Sequence, residues 1–131
     1  MLHASECWAP RVADLQRLLP NERLMLRWMF GVRADEHRSH KDLLDTFMLS
    51  PLDMLLRSNR LRWFGHVKHS QGWINKVMSH NVPGKKPRGR PTLTWKELVM
   101  KDLTAWRMPK SADNRQEWRQ RIRLCLKSNP I

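Results

Sequence analysis

Ser50-Pro51-Leu52-Asp53-Met54-Leu55-Leu56-Arg57-Ser58-Asn59-Arg60-Leu61-Arg62-Trp63-Phe64-Gly65-His66-Val67 is the stretch whose periodicity decides the fold class. Ser50 is a capping residue, Pro51 suits the first helical position, and Asp53 places an acid at the positive end of a helix. Leu52, Leu55, Leu56, Trp63 and Val67 then share one face, while Arg57, Arg60 and Lys68 occupy the remainder. The spacing predicts one long amphipathic helix to about Val67.

Upstream, Pro10 opens a helix carrying Val12, Leu15, Leu18 and Leu19, and Pro20 is expected to interrupt it. Asn21 would cap a second helix. Its apolar face is Met25, Trp28, Met29 and Val32, and Gly31 marks its end. Ser39-His40-Lys41-Asp42 has the Ser-x-x-acid pattern of a capping box before Leu43, Leu44, Phe47 and Met48. Downstream, Trp73, Ile74, Val77 and Met78 suit a single turn or a short extended piece. Thr94-Trp95-Lys96-Glu97 is a further capping box, followed by the stripe Trp95, Leu98, Val99, Leu103 and Trp106. Asp113 and Asn114 can cap a last helix with Trp118, Ile122, Cys125 and Leu126 on its apolar face. No segment alternates with the period of a strand. The chain therefore reads as all-α, a small bundle of about five short helices in two units. Residues 1–9 form a frayed lead-in, 10–78 an N-terminal helical unit, 79–91 a basic extended linker, and 92–131 a helical hairpin.

The linker holds Lys85-Lys86-Pro87-Arg88-Gly89-Arg90-Pro91, four cations in seven residues. Its prolines forbid a helix, and Gly89 permits close backbone approach to a partner. The Pro-Arg-Gly-Arg-Pro centre resembles an AT-hook, an extended arm for the narrow minor groove. The whole chain agrees in sign: 25 Lys and Arg against 12 Asp and Glu leave a net charge of +13 in 131 residues. So large an excess repels itself in a compact state and points to a polyanion, nucleic acid before an acidic membrane surface. No apolar run approaches the ~18 residues needed to span a bilayer, and the first residues lack the pattern of a secretory signal. Two distant cysteines, Cys7 and Cys125, fit a reducing compartment, and the expected location is nuclear.

Four pieces in fixed order carry a resemblance: Leu26-Arg27-Trp28, Arg60-Leu61-Arg62-Trp63-Phe64-Gly65-His66-Val67, Gly84 to Pro91 followed by Trp95, and Asn114-Arg115-Gln116-Glu117-Trp118-Arg119. Together they resemble the C-terminal tail of the reverse transcriptase-like proteins of non-LTR (LINE-type) retrotransposons, over nearly the whole chain. The resemblance implies a role in holding RNA or target DNA beside a polymerase, with the rest of that polymerase as a partner. It does not bring the catalytic residues. The family's polymerase needs paired aspartates to hold divalent metals, and this chain has no Asp-Asp dipeptide. The linker's spacing to its flanking motifs matches a retroelement tail better than a chromatin protein, so backbone contact displaces A·T readout as its expected role.

Candidate nucleic-acid contacts are Lys85, Lys86, Arg88, Gly89 and Arg90 in the linker, Arg60, Arg62, His66 and Lys68 before it, and Arg119 and Arg123 after it. About five neutralised phosphates would give a log–log salt slope on the order of −4. Trp63, Trp95 and Trp118 are expected in the core, and the less regular Trp73 as a base-stacking residue. His37/His40 and His66/His69 lack cysteines at zinc-finger spacing, so no metal or other cofactor is expected. Cys125 sits on an apolar face, where a thiol is usually inert. The chain is expected to be non-catalytic. The competing expectation is a protein–protein module that docks its tryptophan stripes on a larger partner.

Overall fold

The computed structural model describes residues 2–33, 35–80, 83–84, 88–89 and 93–128. Among them are six α-helices and no strand: α1 (Val12–Met29), α2 (His40–Thr46), α3 (Leu52–His69), α4 (Trp73–Ser79), α5 (Trp95–Ala105) and α6 (Arg115–Ser128). The all-α expectation holds. Ser39 and Thr94 accept hydrogen bonds from the amides of Asp42 and Glu97, so α2 and α5 both start on true capping boxes. Asn114 Oδ1 accepts from the amides of Gln116 and Glu117 at the start of α6. At the end of α1, Gly31 takes a φ of 63°. Its amide donates to the Trp28 carbonyl and that of Val32 to Arg27, the Schellman pattern that a left-handed residue permits.

The long helix α3 is the axis of the molecule. Its Met54, Leu61 and Phe64 share one buried cluster with Val99, Leu103 and Trp106 of the α5 region, Met108 and Ala112 of the following loop, and Trp118 and Ile122 of α6. The expected two units therefore share one core across the basic segment. An amphipathic pattern shows that a helix has a buried face but not which distant helix covers it.

Four further expectations are corrected. Pro20 does not end a helix, because α1 runs through it from Val12 to Met29. The proline removes one backbone donor, and Asn21, expected as a cap, instead donates its side-chain amide to the Arg17 carbonyl. Second, the stripe of Met25, Trp28 and Met29 faces outward, with Trp28 85 % exposed, while Glu22 and Leu26 are buried. The buried side is the one that meets α2 and α3, while Arg23 donates to the Arg38 carbonyl and Arg27 to those of Arg33 and Glu36, tying the following loop alongside the helix at the surface. Third, the lead-in is not frayed. Ser5–Cys7 forms a 3-10 turn packed on α3, held by a bond from Asn59 Nδ2 to Ser5 Oγ (3.1 Å) and one from Trp95 Nε1 to the Glu6 carbonyl (2.7 Å). Fourth, residues 73–79 form a helix rather than a turn or extended piece.

Glu22 makes the α1 packing sensitive to pH. Burial pushes its carboxyl above the ordinary 4.5, partly opposed by His40, whose Nε2 lies 3.4 Å away, and reinforced by Asp53. A raised carboxyl favours the protonated form in the folded chain. Its stabilising contribution is thus full below the ordinary value and declines as pH rises through the raised one. Glu22→Gln is expected to remove that decline. Thermal unfolding at several pH values should show the variant gaining on the parent chain as pH rises from acid toward neutrality. Parallel stability curves would refute this assignment.

Candidate nucleic-acid interface

Two helical stripes of cations face one another. On α3, Arg62, His66 and His69 recur at i, i+4 and i+7, and on α6, Arg115, Arg119 and Arg123 recur at i, i+4 and i+8. Together with Gly65 and Trp118 they line a groove of about 350 Å³. What joins the stripes is a close helix crossing. The buried Trp118 lays its indole across α3 and donates Nε1–H to the Leu61 carbonyl at 2.9 Å, 57 residues away in sequence. Only a glycine fits beneath it, because a Cβ at position 65 would stand 2.5 Å from Trp118 Nε1. Phe64 packs against the same indole, with ring centroids 5.9 Å apart.

Of the expected contacts, the structure brings Arg62, His66, Arg119 and Arg123 into this groove. Among the described residues, none of Arg62, Arg115, Arg119 and Arg123 is ion-paired with a carboxylate. Neighbouring Arg121 is different: its guanidinium is spent on Glu117, 2.6 Å away within α6. Unpaired guanidinium groups converging on one recess suit a phosphate, which they can grip through paired N–H donors. The Nε2 atom of His69 is buried without a hydrogen-bond partner, and its ring lines the same groove.

Arg60 must be withdrawn from the interface. It is 5 % exposed, and its Nε donates to Asp102 Oδ2 at 2.8 Å. Arg57 Nε lies 3.1 Å from the other oxygen, an ion pair without the alignment of a hydrogen bond, and its guanidinium stands 5.7 Å from the centre of the Trp106 ring. These two arginines clamp α3 to α5. Lys68 is exposed but lies elsewhere, 5.7 Å above the Phe64 ring, beside a smaller cavity shared with Lys96 and Lys110. Arg88 and Gly89 are exposed, and the φ of 147° at Gly89 is one that side-chain-bearing residues rarely adopt. Lys85, Lys86 and Arg90 lie outside the described residues.

Arg115 and His69 were missed as contacts. The signal was present in the periodicity, since both extend stripes already containing two candidates. Trp63, expected in the core, is half-buried and stacks on His66, with centroids 5.1 Å apart. Trp95 is partly buried against the core and Trp118 is fully within it, as expected. Trp73 stands 72 % exposed at the start of α4. Burial raises the Cys125 thiol, with Arg121 opposing, so the thiol form is favoured. No group of three or more His, Cys, Asp or Glu able to hold a metal occurs among the described residues. Nor is any described helix long and apolar enough to cross a membrane. Comparison with family models, curated proteins and solved structures finds no match.

Proposed function

We propose that this chain is a non-catalytic nucleic-acid-binding module that grips the phosphate backbone in the groove between α3 and α6. The observation that carries this reading is the convergence there of four arginines without carboxylate partners among the described residues. The net charge of +13 supports it, as does the exposed Arg88 of the basic linker. The groove walls are the Arg-Leu-Arg-Trp-Phe-Gly-His and Asn-Arg-Gln-Glu-Trp-Arg pieces on which the resemblance to a retrotransposon reverse transcriptase tail rests. We therefore assign the module to that setting, with RNA or DNA as its ligand, a polymerase as its neighbour and the nucleus as its location. Titration with short duplex and single-stranded DNA and with structured RNA at several salt concentrations tests this. Four phosphate contacts predict a log–log slope of about −3 to −4, and binding that ignores salt would sink the reading.

A specific observation favours a second role. Leu24, Met25, Trp28 and Met29 form an outward apolar face on α1, 65, 41, 85 and 61 % exposed. Isolated apolar side chains on a surface are ordinary, but a contiguous set including an indole marks a docking face. This reading predicts salt-insensitive association with a larger protein, abolished by Trp28→Ser.

A further inference from the structure

The groove does not end at the arginines. A second recess of about 320 Å³ adjoins it, sharing Arg62 and His66 and completed by Glu6, Asn59 and Trp63. The chemistry changes across that shared boundary. One half is lined by Arg62, Arg115, Arg119 and Arg123, and the other offers an indole, an amide and a carboxylate. Arg115, Arg119 and Arg123 line only the first recess and Glu6 only the second, so a backbone running through both is favoured to set its anion in the first. Trp63 is held by its stack on His66, which presents a pre-set aromatic surface. Asn59 spends its side-chain N–H on Ser5 Oγ, and among the described residues its amide oxygen has no hydrogen-bond partner.

Building on the proposed nucleic-acid function, we propose that the paired recesses take one unpaired nucleotide, its phosphate among the arginines and its base against Trp63 with an edge toward Asn59. A duplex cannot meet this arrangement, because its bases are stacked inside and cannot reach an aromatic recessed beside a phosphate site. Single strands can turn a base out onto such a platform. The module thus discriminates by strandedness, and a flexible single strand is its preferred partner.

The test compares a short oligothymidylate with a duplex of equal length, bound to the full chain and to Trp63→Ala, Trp63→Phe and the Arg119→Ala/Arg123→Ala pair. Loss of one stacked base should weaken single-strand binding by about tenfold or more in Trp63→Ala, with Trp63→Phe recovering most of it. Duplex binding should be unchanged in both tryptophan variants, and the arginine pair should weaken both ligands. Equal loss of single-strand and duplex binding in Trp63→Ala, or no loss, overturns the proposal while leaving backbone binding intact. Absence of binding to any nucleic acid overturns both. A second measurement uses the unmodified chain and so does not depend on the folding of Trp63→Ala. An oligonucleotide carrying 5-iododeoxyuridine should photocrosslink to Trp63, and crosslinks confined to other residues contradict the assignment.

Discussion

Asp102→Ala is expected to lower the stability of the folded chain by about 3–5 kcal/mol. Asp102 is 3 % exposed on α5 and faces two guanidinium groups, Arg60 at 2.8 Å and Arg57 at 3.1 Å. Removing the carboxylate leaves Arg57 partly solvated, its side chain 26 % exposed, but strands Arg60, whose side chain is 6 % exposed. Desolvation of an unpaired charge is thus the dominant cost, larger than the lost attraction itself. Asp102→Asn keeps the volume but not the charge and should lose a similar amount. A combined Asp102→Leu/Arg57→Met/Arg60→Met variant should recover most of the stability, since apolar replacement removes the penalty from both sides. Urea unfolding of the set measures this, and a loss below about 1 kcal/mol in Asp102→Ala would contradict the clamp.

Gly65→Ala should be nearly as severe, at about 3 kcal/mol, although alanine is the better helix former. The added methyl would stand 2.5 Å from Trp118 Nε1 and 2.7 Å from Cδ1. The indole must move, breaking its 2.9 Å bond to the Leu61 carbonyl and disturbing its contact with Phe64. Overpacking and a lost buried hydrogen bond each contribute about 1–3 kcal/mol. A double-mutant cycle isolates the cause. In a Trp118→Leu background the obstacle is gone, and Gly65→Ala should become neutral or stabilising by up to about 1 kcal/mol. The same penalty in both backgrounds would mean that the crossing is not what position 65 serves.

Helix starts were legible where a Ser, Thr or Asn cap announced them and misread where a proline did: α3 takes Pro51 rather than Ser50 as its cap, without a side-chain hydrogen bond, and α1 begins after Arg11 rather than at Pro10. Ser39 with Asp42, Thr94 with Glu97, and Asn114 announce their helices locally, because a cap is made by residues within one turn. Legibility fails where a long-range partner decides. Arg60 and Arg62 look equivalent in sequence, yet they point to different sides of α3, one sealed against Asp102 and the other open to the groove. A lone Asp102 beside the α5 stripe was the only hint. Likewise the stripe on α1 had the right spacing, but α2 and α3 pack on the side of Glu22 and Leu26 and leave the stripe outside. Half of the groove could be named from periodicity. That its halves meet depends on Trp118 crossing Gly65, which no local pattern encodes.

The salt dependence of binding in a groove variant tests most directly whether the groove grips phosphates. Arg115→Ala/Arg119→Ala/Arg123→Ala should be titrated with a single-stranded oligonucleotide beside the parent chain, with unfolding curves as the control for folding. Each lost phosphate contact removes about 0.7 from the log–log slope, so the variant should flatten it by about 2 and bind more weakly at low salt. A folded variant with unchanged affinity and slope would show that the groove between α3 and α6 does not hold the phosphate backbone.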